Sequence, residues 1–428
     1  MHPRPTPLHT GRAAYDRAVR PQTVTVEQLA TLVASGWPNP RVVAPGNFAT
    51  PWPLVAALDA ELDRWTLHML NAQAGVPVRD GLTLETCFVG PGMRGAPTLS
   101  YVPCRLSMVP LLLTRRLVPD VVVLHTTPPR NGAVSLGIEV NVLPAAVAAV
   151  RTAGGVVVAA VNPHMPFTFG DAVIALDNID YLVDLEQPLV SPGTIPLDDA
   201  SREIGGRVAA RVPDNATLQA GIGAIPDAAL QGLLDRRGLR VWSEMFSDGV
   251  LVLEQVGALD RNHPICASFL FGSPELYAWV DGNRRVRMVR TEKANAPARI
   301  ANQPAMVSIN SALQVDLSDQ ANASRMNGRV YSGLGGQSDF VVGALHSVGG
   351  QAIIALRSWH PKADVSTIVP QLAQPATSFL HTAVVTEHGT ADIWGVDQAH
   401  LTREMIEHAA DPRVRDELWN EARTLGLT

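Results

Sequence analysis

The sequence predicts an α/β protein with two domains of similar build. Short runs of Val, Ile and Leu, such as residues 121–124 and 155–161, alternate with amphipathic stretches along the chain. Continuous apolar runs of this length are typical of strands buried on both faces by helices. The 428 residues are enough for two or three domains, and one plan of helix, turn, strand, Gly/Pro loop and helix occurs twice, about 175 residues apart.

The first copy of this plan opens at Thr25, whose side chain can form a capping box with Gln28. A helix is predicted over 26–35, and Gly36 is a suitable residue to end it. The later elements of this copy are a strand to Ala44, a loop with Gly46 and a helix over 54–65.

The second copy begins near Asp199, with a helix predicted over 202–211. Its later elements are a strand over 217–220, a loop over 221–226 and a helix opened by Asp227. The Pro-rich segment 187–196 is the expected linker, which gives domains at 1–190 and 197–428. The alternative is that any two βα units share this appearance by chance.

Composition excludes several classes of function. The net charge of −6 argues against nucleic acid as the main ligand. Lys293 and Lys362 are the only lysines, so anionic groups must meet Arg, backbone N–H groups or helix N-termini. Three widely spaced cysteines, Cys87, Cys104 and Cys266, favour a reducing cytoplasm over a disulfide framework or a metal site.

The most apolar stretch, residues 142–161, is interrupted by Arg151 and a Gly pair. We interpret it as a buried helix followed by a buried strand, and expect no membrane span.

Glycines 221 and 223 lie between the predicted strand 217–220 and the next helix. Glycine lets backbone approach a ligand, and a helix N-terminus favours an anion. A dinucleotide site needs a third Gly where Pro226 stands, and an acid about 20 residues later, where Glu244 lies. The alternatives are a dinucleotide-binding dehydrogenase or a tight structural turn.

Glu244 follows an apolar run and precedes the turn predicted at Ser247-Asp248-Gly249. The ends of parallel strands face the ligand crevice of a doubly wound sheet, which makes this carboxylate a catalytic candidate. The alternative is a Glu that caps a helix or forms a salt bridge.

The segment 331–340 has three glycines in four residues, at Gly333, Gly335 and Gly336, followed by Asp339 and Phe340. This pattern indicates either a loop whose N–H groups point into a site or a structural glycine turn. No Gly-x-Ser-x-Gly elbow, Walker motif or His-x-x-x-His pair occurs, so a serine hydrolase, a P-loop enzyme and a metal site are unsupported.

Together these segments resemble the acetyl-CoA hydrolase/transferase family. The resemblance covers most of the chain, and the motifs occur in family order. They lie at 162–171, 213–227, 243–249, 268–272, 309–317, 331–340 and 384–392.

The resemblance implies two open α/β domains with largely parallel sheets and the active site between them. It also implies a role for each matching residue. Glu244 matches the catalytic glutamate, and Asn310 matches a residue that lines the site. The CoA-binding loop matches Gly221, Ile222, Gly223, Ala224 and Ile225; the glycines near the thioester match Gly333, Gly335 and Gly336, of which Gly335 and Gly336 are candidate oxyanion donors.

The implied reaction is CoA transfer from an acyl-CoA to a small carboxylate such as acetate, through a glutamyl-CoA thioester. An exposed Glu has a pKa near 4.3, so we expect Glu244 to be ionised at pH 7 and to attack without a general base. Thioester is exchanged for thioester, so no metal, ATP or permanently bound cofactor is expected. Acyl-CoA hydrolysis on the same scaffold and CoA binding without turnover are the alternatives.

Four departures from the family pattern affect the expected specificity. Phe167 stands where Arg is frequent, Gln314 where Glu is usual, and Gln351 where Lys is common. Residues 127–132 form a shorter segment than usual and lack its Asp. We expect Gln351 to weaken a contact with CoA. A cytoplasmic location is expected, and a homodimer is common among relatives.

Overall fold

The chain forms two compact units. The computed structural model describes residues 21–191, 193, 196–374, 376 and 380–428. The first unit contains residues 21–104, 108–191 and 277–292, and the second contains the other described residues. The predicted linker 187–196 lies partly outside the described residues.

The helices are listed here in chain order. They are α1 (Val26–Gly36), α2 (Trp52–Glu61), α3 (Val109–Arg115), α4 (Leu143–Ala153), α5 (Asp199–Arg211), α6 (Ala224–Gln231), α7 (Asp248–Gln255), α8 (Pro274–Val280), α9 (Thr291–Ala294), α10 (Pro297–Ala301), α11 (Gln337–His346), α12 (Gln398–Glu404) and α13 (Arg415–Thr424).

The first unit has an eight-stranded parallel sheet. Its strands are β1 (Gln22–Thr23), β2 (Arg41–Val43), β3 (Trp65–His68), β4 (Leu82–Thr86), β5 (Leu99–Tyr101), β6 (Val121–Thr126), β8 (Val156–Val161) and β11 (Tyr181–Asp184), and the shorter strands outside it are β7 (Ala133–Ser135), β9 (Phe169–Gly170), β10 (Val173–Ala175) and β17 (Val286–Met288). The sheet order is β1-β11-β8-β6-β2-β3-β4-β5. β7 pairs antiparallel with β10, and β9 pairs parallel with β17.

The second unit has a largely parallel sheet in the order β28-β27-β23-β18-β12-β13-β15, in which only the β27–β28 pair is antiparallel. Its strands are β12 (Thr217–Ala220), β13 (Arg240–Trp242), β15 (Ile265–Ala267), β18 (Met306–Asn310), β23 (Gln351–Ala355), β27 (Ala383–Thr386) and β28 (Gly389–Asp392). Shorter strands are β14 (Met245–Phe246), β16 (Phe269–Leu270), β19 (Gln314–Asp316), β20 (Ala321–Asn322), β21 (Arg325–Met326), β22 (Arg329–Val330), β24 (Trp359–His360), β25 (Val365–Ser366) and β26 (Ile368–Val369).

The predicted repeat of one plan is visible in the strand orders. After β2, the first unit adds β3, β4 and β5 on one side and then β6, β8 and β11 on the other, with β1 at the far edge. After β12, the second unit adds β13 and β15 on one side and then β18, β23, β27 and β28 on the other. Each sheet therefore has a switch point beside β2 or β12, where a crevice opens at the carboxyl ends of the strands.

Several predicted elements are confirmed. Thr25 caps α1 in a capping box with Gln28, and β12 has the predicted bounds. The apolar stretch 142–161 forms α4 and β8, and no described helix is long and apolar enough to span a membrane.

Other predicted boundaries are wrong. The helix predicted over 54–65 is α2, which begins at Trp52 and ends at Glu61, because Leu62 is already extended. Trp65 begins β3, where it pairs with Leu82 and is fully buried. The burial of Trp65 in the sheet, and not the apolar pattern of the sequence, thus determines its secondary structure.

Three helices also begin earlier than predicted or replace a turn. α5 begins at Asp199, because Asp198 caps it by accepting the Ser201 N–H at 3.0 Å. α6 begins at Ala224 instead of Asp227. The turn predicted at 247–249 is the first turn of α7.

Candidate active site

The predicted site residues of the second unit gather at the carboxyl edge of its sheet. β12, β13 and β18 are parallel neighbours, so their last residues lie at one edge. Asn310 is the last residue of β18, and Glu244 lies two residues beyond β13. The loop 221–223 leaves β12 beside β18, at the switch point.

The backbone of Glu244 is fixed by two neighbouring N–H groups. Those of Ser268 and Phe269 donate to the Glu244 carbonyl oxygen at 2.8 and 3.1 Å. The adjacent pairing of β14 with β16 continues this ladder. The side chain of Glu244 therefore projects from a rigid backbone.

The Glu244 carboxylate meets Asn295 and Gly336. The Asn295 amide, which is fully buried, donates to Glu244 Oε2 at 2.8 Å. A Cβ on Gly336 would lie 1.8 Å from the same oxygen and 2.3 Å from the Asn295 amide nitrogen. Gly336 has an ordinary φ of −97°, so this position needs glycine because of space.

Gly336 is also the N-cap of α11, so the positive end of that helix lies against the carboxylate. The preceding Gly333 and Gly335 have φ values of 126° and 58°, which favour glycine. The Gly335 carbonyl accepts the Leu106 N–H at 3.0 Å.

Asp339 lies in the first turn of α11 and is fully buried. Its carboxylate accepts the N–H and hydroxyl of Ser107 at 3.1 and 2.8 Å, and pairs with Arg105 at 2.8 Å. Together with the Leu106 bond to Gly335, these contacts hold residues 105–107 against the glycine loop. Asp339 therefore positions this loop.

Glu244 is partly buried, and this burial raises its pKa to about 7. The hydrogen bond from Asn295 lowers the pKa, and the negative charge of Asp339 raises it. Burial also raises the pKa of Asp339, against the bonds from Ser107 and Arg105. The expectation of an exposed glutamate that is fully ionised at pH 7 is therefore wrong.

Asn310 belongs to a separate polar cluster at the same edge. Its amide donates to Ser308 Oγ at 2.8 Å and to Gln219 Oε1 at 3.3 Å. Ser308 Oγ donates to the same Gln219 oxygen at 2.6 Å. These side chains link β12 and β18 across the switch point.

The loop 221–225 is open to the surroundings. A Cβ on Gly221 or Gly223 would meet no atom within 4 Å, and Ile222 is exposed. Gly223 has a φ of 128° and is the N-cap of α6, which contains Ala224 and Ile225. The loop thus leaves space for a ligand in front of a helix N-terminus.

Gln351, by contrast, lies at the other edge of the sheet. It begins β23, its amide donates to the Arg211 carbonyl at 2.9 Å, and its oxygen accepts Arg211 Nε at 3.1 Å. The expectation that Gln351 affects a CoA contact is not supported by this position, because the site residues lie at the carboxyl edge.

Sequence reasoning missed three contributors, namely Asn295, Asp339 and the segment 105–107. Asp339 had a signal, since it follows the three glycines of the 331–340 motif. Asn295 stands in an Asn-Ala-Pro segment with no such pattern. Within the described ranges, no group of three or more His, Cys, Asp or Glu residues could hold a metal ion.

Comparisons with known proteins identify relatives over nearly the whole chain. A family model described as acetyl-CoA hydrolase/transferase C-terminal domain matches residues 272–422. The 4-hydroxybutyrate coenzyme A transferase of Clostridium kluyveri is 34% identical over 430 residues, covering 95% of this chain and 98% of that protein.

Two further likenesses agree with this. A succinyl-CoA:acetate/propanoyl-CoA:succinate CoA transferase of Fasciola hepatica is 37% identical over 341 residues, covering 74% of this chain and 70% of that protein. The crystal structure of RipA from Yersinia pestis superposes with a TM-score of 0.87 at 27% identity, covering 95% of this chain and 98% of that chain.

Proposed function

The chain belongs to the acetyl-CoA hydrolase/transferase family, and from this premise we propose that it transfers CoA from an acyl-CoA to a small carboxylate such as acetate, with Glu244 as the nucleophile. The observation that supports the proposal is the environment of Glu244 Oε2, which accepts a hydrogen bond from Asn295 and lies against Gly336. An acyl-transfer site needs a nucleophile beside donors for an oxyanion, and these three residues supply both.

The proposed reaction has two half-reactions. The Glu244 carboxylate attacks the thioester carbonyl, the C–S bond breaks, and an acyl-glutamyl anhydride and CoA thiolate form. The thiolate then attacks the glutamyl carbonyl, which leaves glutamyl-CoA and releases the first carboxylate. The acceptor carboxylate repeats these steps in reverse, so that its acyl-CoA leaves and Glu244 is regenerated.

Each step passes through a tetrahedral oxyanion on a carbonyl next to Glu244. The Asn295 amide and the backbone N–H groups at Gly335 and Gly336 are the proposed donors, aided by the N-terminus of α11. A single donor of this kind contributes about 3 kcal/mol to transition-state stabilisation. The open loop 221–225 is proposed to bind the CoA chain, and Gly333 to shape the loop near the thioester.

The raised pKa of Glu244 also favours covalent chemistry. Burial and the charge of Asp339 disfavour the free carboxylate. The anhydride and the thioester carry no charge at Glu244, so their formation relieves both effects. The protein thereby raises the free energy of its own nucleophile relative to the intermediates.

Hydrolysis is the second candidate, since the family to which the chain belongs includes acetyl-CoA hydrolases by name. Water would then replace the acceptor carboxylate. CoA binding without turnover is the third reading, and the intact Glu244 and its donor set favour catalysis over it. The homodimer, the cytoplasmic location and the domain limits 1–190 and 197–428 stay predictions.

Two readouts with butyryl-CoA separate these functions: formation of acetyl-CoA when acetate is added, and release of free CoA thiol with and without acetate. A transferase exchanges CoA only when an acceptor is present, whereas a hydrolase releases free CoA without one. Glu244→Ala is expected to abolish exchange, and Glu61→Ala, at an exposed position, serves as the control. Substantial exchange by Glu244→Ala would overturn the proposed role of Glu244.

A further inference from the structure

Four side chains of the first unit form a contiguous row, here named the Arg–Phe patch: Arg130, Phe167, Phe169 and Arg284. The guanidinium carbon of Arg130 lies 5.5 Å from the Phe167 ring centroid, and that of Arg284 lies 5.1 Å from the Phe169 centroid. The two rings are 5.5 Å apart and meet edge to face. These distances are in the range of cation–π and aromatic attraction.

The backbone holds both rings on one face. Thr168, between them, is fully buried and held by hydrogen bonds. Its N–H donates to Ser135 Oγ at 3.0 Å, its hydroxyl donates to the Gly137 carbonyl at 2.7 Å, and its carbonyl accepts the Ser135 hydroxyl at 2.9 Å. Because side chains alternate along extended backbone, Phe167 and Phe169 project the opposite way.

Arg130 is held by a tight turn. Asn131 and Gly132 have φ values of 50° and 76°, which is the pattern of a two-residue hairpin turn. The N–H of Arg130 donates to the Ala133 carbonyl at 2.7 Å, and the reverse bond is 3.1 Å.

Arg284 comes from a segment bonded to the same phenylalanines. The Phe167 N–H donates to Asp281 Oδ1 at 2.6 Å, and the Gly282 N–H donates to the Phe167 carbonyl at 2.8 Å. Phe169 is in register with Arg287 in the β9–β17 pair. The patch is thus assembled on three connected pieces of backbone and needs little ordering when a ligand binds.

The charge of the patch is unusual for a chain of net charge −6. Arg130, Arg284 and Arg287 are exposed, and within the described part of the chain no carboxylate forms an ion pair with any of them. The neighbouring carboxylate of Asp281 accepts the Phe167 N–H instead. A guanidinium that stacks on a ring keeps its N–H edge available for a bidentate anion.

We propose that the Arg–Phe patch binds the phosphate groups of an adenine nucleotide. Arg130, Arg284 and the neighbouring Arg287 suit a ligand with several phosphates, and guanidinium planes and phenyl edges suit a stacked base. The nucleotide is either part of CoA or a free nucleotide such as ATP. In the first case the inference rests on the proposed function and adds a CoA-recognition residue to it.

Calorimetric titration of Glu244→Gln protein tests this binding apart from turnover. The titrants are CoA, adenosine 3′,5′-bisphosphate and ATP, with phosphate-free pantetheine as the comparison. Loss of two charge-assisted contacts in R130A/R284A is expected to weaken phosphate-ligand binding by about 10-fold or more. R261A/R403A removes two exposed arginines of the second unit and is expected to bind as the parent does.

Competition between ATP and CoA in these titrations identifies the source of the nucleotide. Displacement of ATP by CoA assigns the patch to the CoA nucleotide, and ATP binding in the presence of saturating CoA assigns it to a free nucleotide. The proposal is overturned if R130A/R284A and the single variant Arg130→Gln bind all titrants as tightly as the parent. It is also overturned if ATP and the bisphosphate do not bind. These results do not depend on whether the wild-type protein transfers CoA.

Discussion

Gly336→Ala is the substitution whose effect on the candidate site can be worked out most directly. The added Cβ would lie 1.8 Å from Glu244 Oε2 and 2.3 Å from the Asn295 amide nitrogen, where ordinary contacts are 3.4–4 Å. Backbone φ at this position is acceptable for alanine. The whole effect should therefore come from displacement of the Glu244 and Asn295 side chains.

The size of the effect follows from that displacement. The carboxylate and the amide must retreat by more than about 1 Å to restore contact distances. A misplacement of about 1 Å at reacting groups can reduce the rate about 100-fold, which corresponds to about 2.7 kcal/mol of transition-state stabilisation. Overpacking of this kind also lowers the free energy of unfolding by about 1–3 kcal/mol.

The assay is acyl-CoA:acetate exchange, with kcat/KM compared between variants and thermal unfolding followed by circular dichroism. Gly206→Ala is the matched control, because Gly206 lies within α5 and its added Cβ meets no atom within 4 Å. It should retain activity and gain about 0.5–1 kcal/mol of stability. Full exchange activity in folded Gly336→Ala would show that the positions of Glu244 and Asn295 do not depend on the space at Gly336.

Four further predictions follow from carboxyl groups that are buried in whole or in part. The rate of glutamyl-CoA formation should rise with pH through about 7, because the raised pKa keeps Glu244 partly protonated below that value; a rate that is flat between pH 5 and 8 would contradict it. Ionisation of a group with a raised pKa destabilises the fold as pH rises from about 4.5 to 7, so Glu244→Gln should gain stability over wild type in chemical denaturation at pH 8 but not at pH 4. Asp339→Asn removes the charge that raises the pKa of Glu244, so its pH–rate profile should move to lower pH; an unmoved profile would exclude this coupling. Glu139 is buried and accepts the N–H groups of Gly46 and Asn47, both at 3.1 Å. Glu139→Gln should therefore lower the free energy of unfolding by about 1–3 kcal/mol in urea denaturation. An unchanged urea midpoint would contradict a stabilising role for these two hydrogen bonds.

The repeated plan was predictable because it depends on local signals. The capping box at Thr25 and the apolar run 217–220 each determine their element within a few residues. The end of α2 was not predictable in this way. Trp65 fits the helical pattern of the preceding residues, yet its large side chain is buried in the sheet beside β4.

The candidate site was predictable only where a chemical group stands in a motif. Glu244 and the glycines at 333–336 carry such signals. The Asn295 contact depends on how the chain folds back over 51 positions, and no local pattern encodes this. The same applies to the pKa of Glu244, since burial and the charge of Asp339 arise only in the folded protein.

Gln351 shows the converse case. A departure from a family pattern was interpreted as a change at the ligand, but Gln351 lies at the amino end of β23 and bonds with Arg211. Position along a parallel strand, which sequence comparison does not display, decides whether a residue can reach a site at the carboxyl edge.

The covalent role of Glu244 can be tested by intact mass spectrometry of the protein after mixing with acetyl-CoA or butyryl-CoA. An added mass of CoA is expected, mapped to the peptide that contains Glu244. Borohydride is expected to abolish exchange, because it reduces this thioester. Absence of an adduct in an active protein, together with activity that borohydride does not affect, would contradict the claim that Glu244 is the nucleophile.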